Sequence, residues 1–303
     1  MKHSVVITLI LLGMFILSQA IGLAVTAAYL PDVTPAVAEN GTLINVTTYH
    51  LPYGMEPPEE VRPQQSLVSI VIALIIAITI MVLLMKFRAE IFLRLWFFAV
   101  VSIALGITLN AAVKTVPYAS LFVLIIAIPL AYFKVFQRNI IVHNITEVLI
   151  YPGIAAIFVP LLSIPTTIIL LVIISAYDMY AVWHSGFMQR LAHYQIRTLR
   201  VFSGFFIPYL TAQAKANLMH RPKAGKKVKV NVAILGGGDV VFPIIVAGVV
   251  LREFSLLPAL LVTGGATLAL AILFYLSEKG KFYPAMPFIS LGCFLGLALV
   301  YLF

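Results

Sequence analysis

The run LVSIVIALIIAITIMVLLM, Leu67 to Met85, decides the fold. It carries no charged residue, and as a helix rising about 1.5 Å per residue it spans about 30 Å, the hydrocarbon thickness of a bilayer. The chain around it is of the same kind. Of its 303 residues, 62% are hydrophobic and 10% charged, with a mean hydropathy of +1.07. A soluble domain carries about a quarter charged residues, and a soluble chain this apolar has too few polar side chains to cover its surface. Disorder and coiled coil need more polar positions still. A transmembrane barrel needs strands of period two, whereas the apolar runs here are continuous. The class that remains is an all-α polytopic membrane protein.

Working outward from Leu67–Met85, runs of similar length predict nine transmembrane helices, at about 5–28, 67–85, 95–113, 118–133, 140–160, 165–185, 231–251, 256–276 and 284–303. They form one membrane-embedded domain over 1–303. The first run begins after Lys2 and passes Ser18-Gln19-Ala20, which imitates a cleavage site. It continues apolar to Ala28, too far for a signal core, so a retained span is expected.

Charge sets the expected orientation. The loop 31–66 holds Asp32, Glu39, Glu56, Glu59 and Glu60 against Arg62, together with two glycosylation sequons, Asn40-Gly41-Thr42 and Asn45-Val46-Thr47. Placed outside, it makes the N-terminus cytoplasmic and the C-terminus external. Alternation through nine spans then puts 17 of the 20 Lys and Arg residues inside, the asymmetry expected of a cell-membrane protein. Nine of them lie between Arg190 and Lys229, in a cytoplasmic loop over 186–229 without Asp or Glu. The net charge of +9 is thereby explained by the bilayer, and no nucleic acid is expected. Within the same loop Phe202–Leu210 is apolar and aromatic, expected on the membrane surface. The single cysteine, Cys293, excludes disulfide frameworks, iron–sulfur clusters and cysteine-based zinc sites. His143 and Glu147 share a helix face at i, i+4, but no third ligand accompanies them. They read as an interior polar pair, with no metal and no cofactor expected.

The chemistry is carried by two of the three aspartates. Asp178 ends Ile174-Ser175-Ala176-Tyr177-Asp178, late in the sixth span; Asp239 ends Leu235-Gly236-Gly237-Gly238-Asp239, early in the seventh. A carboxylate inside a membrane is costly unless neutral, paired or wetted, and marks a functional site by default. These spans run in opposite directions, and each aspartate lies about two turns from its inner end, at a depth of about 10–12 Å. Two carboxylates at one depth share a proton. The charged member activates water as general base and the protonated member polarises a carbonyl as general acid, without a metal. Gly236, Gly237 and Gly238 leave room for a helix or an extended backbone.

Tyr177-Asp178, Gly236-Gly237-Gly238-Asp239 and Pro284-Ala285-Met286-Pro287 resemble the three motifs of the GxGD intramembrane aspartyl proteases, the presenilin and signal peptide peptidase family. Met286 stands where the family's third motif has Leu, a volume-conserving exchange. The form looks most like archaeal presenilin homologues. The resemblance implies a hydrolase that cuts peptide bonds within transmembrane segments, with Asp178 and Asp239 catalytic. Tyr177, the three glycines, Pro284, Ala285 and Met286 would shape the site and hold substrate. An internal N-terminus is the presenilin-like orientation, suited to single-span substrates whose own N-terminus is outside. Signal peptide peptidases are inverted.

The runner-up is an ion- or solute-coupled transporter using Asp178 and Asp239 as proton or cation ligands. Its inverted repeat is missing, because the two motifs lie on adjacent spans. A noncatalytic scaffold is disfavoured by the presence of both aspartates. One further signal concerns substrate. Lys227-Val228-Lys229-Val230-Asn231-Val232 alternates polar and apolar, which predicts a short β-strand before the seventh span. As an edge strand, with Val228 and Val230 in its ladder, it would add an unwound substrate as a neighbouring strand. The presenilin resemblance implies a similar arrangement.

Overall fold

The computed structural model describes residues 4–37, 43–58, 61–137, 139–185, 202–209, 231–278 and 283–302. Among them are nine α-helices and two antiparallel two-stranded sheets. In chain order these are α1 (Val5–Ala28), β1 (Asp32–Val37), β2 (Leu43–Thr48), α2 (Pro63–Lys86), α3 (Glu90–Val113), α4 (Ala119–Phe136), α5 (Ile140–Phe158), α6 (Ile164–Tyr180), β3 (Gly204–Tyr209), β4 (Asn231–Gly236), α7 (Gly237–Glu253), α8 (Leu256–Leu276) and α9 (Met286–Leu302). The nine helices follow the nine expected spans in order. Seven are long and apolar enough to cross a membrane, α5 and α6 with their short 3₁₀ and π extensions. The other two, α7 and α9, have 17 residues each.

Local sequence explains the boundaries near the site. Asn139 caps α5, its side chain accepting from the Ile141 and Val142 N–H groups at 2.9 and 3.2 Å. Ser163 and Thr166 form a reciprocal capping box at the start of α6. Beyond Tyr180, α6 loosens into a π turn over Ala181–Ser185.

At the centre stands α7, packed against α1, α5, α6, α8 and α9. From Pro243 to Leu251 every residue is buried, as expected of a helix apolar on all sides. The periphery is α2, which buries only Leu67 and Ile70 and leaves Ile72, Ile75, Ile76 and Ile80 exposed. So broad an apolar surface is the face a membrane protein turns to lipid.

Three expectations need correction. The seventh helix begins at Gly237, not near residue 231, because Asn231–Gly236 is strand. Alternation wins there: Ala233 and Leu235 are buried while Ile234 is exposed, and the glycines that follow give a helix no propensity to extend backwards. Phe202–Leu210, expected only as an apolar stretch on the membrane surface, contains a strand. Its Gly204–Tyr209 portion is β3, antiparallel to β4 in the register Gly204↔Gly236 to Tyr209↔Asn231. Finally, Lys134, counted among loop bases, is in the last turn of α4 and buried. The loop 31–66 contains the β1–β2 sheet and a 3₁₀ turn at Pro52–Gly54, which polar composition alone did not announce. Asn45-Val46-Thr47 lies on β2; Asn40-Gly41-Thr42 falls outside the described residues. So do most of 186–229 and, within it, Val228 and Val230.

Candidate active site

Asp178 is the third residue from the end of α6, with about 7% of its surface exposed. Its Oδ2 accepts the backbone N–H of Met286 at 3.1 Å, and the Ala285 N–H also donates to the carboxylate. Met286 opens α9. The first N–H groups of a helix have no partner within it and carry the positive end of its dipole. The Pro284-Ala285-Met286-Pro287 segment therefore binds Asp178 as a helix N-terminus binds an anion. Pro287, in the first turn, has no N–H to leave unsatisfied. One turn deeper, Ser175 and Ser290 hydroxyls meet at 2.9 Å and tie α6 to α9.

Asp239 lies in the first turn of α7, closer to the helix start than the two turns expected from the apolar run. Its carboxylate accepts the N–H of Gly236. It is half-buried and within electrostatic reach of Asp178. Two carboxylates from different helices, each served by a helix N-terminus, thus lie within electrostatic reach of each other where α6, α7 and α9 pack together.

The three glycines divide the work. A Cβ on Gly237 would stand 2.8 Å from Tyr151 Cε1 and 2.9 Å from the Tyr151 hydroxyl and Ser203 Oγ. Only glycine lets the α7 N-terminus rest on α5 in this way. Gly236 lies against Asp239 itself, a Cβ there coming 3.2 Å from Oδ2. Gly238 is exposed, its nearest obstacle Phe242 at 3.7 Å, so of the three it alone leaves room for an incoming backbone. Tyr177, beside Asp178, is exposed on α6, whereas Pro284 and Met286 are buried.

Sequence reading missed several residues around the dyad. Tyr151 is fully buried beneath Gly237 and packs edge-on against Phe205 of β3, with ring centroids 5.7 Å apart. Gln19 of α1 donates to the Val240 carbonyl at 3.0 Å, one residue from Asp239. Their only signal was a polar atom inside an apolar run, which does not name its partner. The His143–Glu147 pair is in contact, as expected, but it has a third member, Lys134, whose Nζ donates to Glu147 Oε1. No cluster of three metal-ligating side chains occurs among the described residues.

A family described as "Signal-peptide peptidase, presenilin aspartyl protease" matches residues 45–303. The chain belongs to this family. The helices from α2 to α9 and both aspartate motifs fall inside the matched region; α1 precedes it. Two solved structures of a presenilin family intramembrane aspartate protease, in C222 and P2 crystal forms, share its fold. The first has a TM-score of 0.61 at 21% identity, covering 98% of this chain and 99% of the other. The second has a TM-score of 0.59 at 21% identity, covering 96% of each. No curated protein matches the sequence.

Proposed function

We infer that this presenilin-family chain is an intramembrane aspartyl protease in which Asp178 and Asp239 hydrolyse peptide bonds of membrane-spanning substrates. The observation that carries the reading is two carboxylates, held by separate helices of an apolar bundle, within electrostatic reach of each other. The charged member takes a proton from water as the water oxygen bonds to the scissile carbon. The protonated member gives its proton to the carbonyl oxygen. As the gem-diol collapses, the ionised carboxylate takes one of its hydroxyl protons, the C–N bond breaks, the protonated carboxyl gives its proton to the leaving amine, and the pair again holds one proton. Family membership lends nothing to the transporter alternative.

Substrate helices hide their peptide bonds behind internal hydrogen bonds, so the scissile segment needs new backbone partners inside the membrane. The β4 edge is suited to supply them. Asn144 of α5 bonds both the N–H and the C=O of Phe206, each at 3.0 Å. Phe206 therefore turns its polar groups away from β4, and its partner Ile234 turns its own to the opposite, open edge. Val232 has the same parity. Pro208, also at an outward position of β3, removes no ladder bond. Substrate strand addition thus centres on Val232 and Ile234, a few residues beyond Val228 and Val230.

The charge asymmetry supports a cytoplasmic N-terminus in the cell membrane and single-span substrates with an external N-terminus. The test is incubation of purified protein with a model single-span substrate, wild type beside Asp239→Asn. Cleavage by the wild type alone is expected; equal cleavage by both removes the dyad.

A further inference from the structure

We propose that one face of α5, completed by Lys134, is a positioning platform that sets the register between an incoming substrate strand and the two aspartates. The inference rests on the protease reading. Its basis is a chain of contacts outside the dyad. Lys134, about 6% exposed, donates to Glu147, about 1% exposed. The same ammonium faces His143 Nδ1 at 3.5 Å. A lysine ammonium only donates, so Nδ1 is the acceptor and Nε2 carries the hydrogen. Nε2 then donates to the Gly204 carbonyl at 2.9 Å. Asn144 next to it takes both polar groups of Phe206. Two consecutive outward positions of β3 are thus held by side chains of α5, which replace a third strand.

The same helix face continues to Tyr151, two further steps of four along from His143 through Glu147. Tyr151 supports Gly237, the residue at which β4 becomes α7. Gly204, paired with Gly236, locks the same end of the sheet. Its φ of +148° and the 2.5 Å that would separate a Cβ from the Leu235 carbonyl reserve it for glycine. A two-stranded sheet by itself is marginally stable, so its place in the bundle is decided by what it rests on.

The consequence for catalysis follows from how the dyad is divided. Asp239 follows β4 by three residues but lies in the first turn of α7, which its packing on five helices fixes in the bundle. Asp178 is held by α9 and does not touch the sheet through any of its hydrogen bonds given above. A substrate paired to β4 therefore meets the two aspartates in register only while α5 fixes the sheet against the bundle. Loosening the platform should let neighbouring peptide bonds compete for the dyad. A structural role alone would lower stability and leave the choice of bond unchanged.

The experiment measures product masses, turnover and melting temperature with one single-span substrate in detergent. Asn144→Ala removes both bonds to Phe206. The double variant Lys134→Met/Glu147→Leu removes the charge pair as a unit and leaves no buried charge uncompensated, so it carries the test if Asn144→Ala fails to fold. In folded protein each is expected to spread cleavage over adjacent bonds, with kcat/KM reduced about 10- to 100-fold, the scale of a small misplacement of reacting groups. His143→Gln, which keeps a donor for Gly204, should restore a narrower product set than His143→Ala. Folded variants that cut the wild-type bonds in wild-type proportions overturn the proposal. Wild-type cleavage that survives Asp239→Asn overturns the protease reading instead, and the platform with it.

Discussion

At Asp178 and Asp239 the cost of an intramembrane carboxylate is met by backbone N–H groups at helix starts, from Ala285 and Met286 for one and from Gly236 for the other. Replacing either aspartate with Ala or Asn leaves half a dyad, without its acid or its base, and turnover should fall by at least about 100-fold. A single-turnover assay in folded protein checks this, and near-wild-type rates in either variant would refute the assignment. Because the active pair shares one proton, the rate should be bell-shaped in pH, falling when both carboxyls are protonated and again when both are ionised. A flat profile with chemistry rate-limiting would exclude the shared proton. Lys134→Ala strands Glu147 as a buried charge and should cost about 3–5 kcal/mol, read as a loss of melting temperature that Lys134→Met/Glu147→Leu largely avoids.

Among the elements, the β3–β4 sheet offers the sharpest contrast. The free and paired positions of β4 alternate, so proline should act differently at neighbouring sites. Ile234→Pro removes an N–H from the open edge, and cleavage should drop while melting temperature stays near wild type. Ala233→Pro removes an N–H that faces Ile207, and the sheet itself should weaken. Equal behaviour of the two would mean that the open edge takes no part in cleavage. The alternation that signals this strand was visible in the sequence at 227–232, of which Asn231 and Val232 begin β4 and 227–230 lie outside the described residues. Its partner β3 was not visible, because Gly204-Phe205-Phe206-Ile207-Pro208-Tyr209 has no clean period. Its pairing depends on side chains of α5 more than on its own pattern.

At the scale of the whole molecule, the nine helices among the described residues follow the expected order, and the charge distribution makes a testable proposal for their orientation. Cys293 is fully buried, so a cysteine introduced elsewhere reports nearly alone. Single cysteines placed in 186–229 should label from the cytoplasmic side only, and those in 31–66 from the outside only. The reverse pattern would give the signal peptide peptidase orientation and a different substrate class.

The amino-acid sequence alone determined the membrane class and the order of the helices found among the described residues, and it singled out the two aspartates that we propose as the dyad. Each of these is a local quantity: a run of apolar residues long enough to cross a bilayer, or a carboxylate too costly to keep inside one without use. Packing decided the rest. That Asp178 near the end of α6 is served by the start of α9, that Lys134 neutralises Glu147 across two helices, that Asn144 reads as strand to Phe206 and that Gly237 rests on Tyr151 are all pairings between segments distant in the chain. A polar atom in an apolar run shows that it needs a partner; only the close approach of another helix determines which partner it finds.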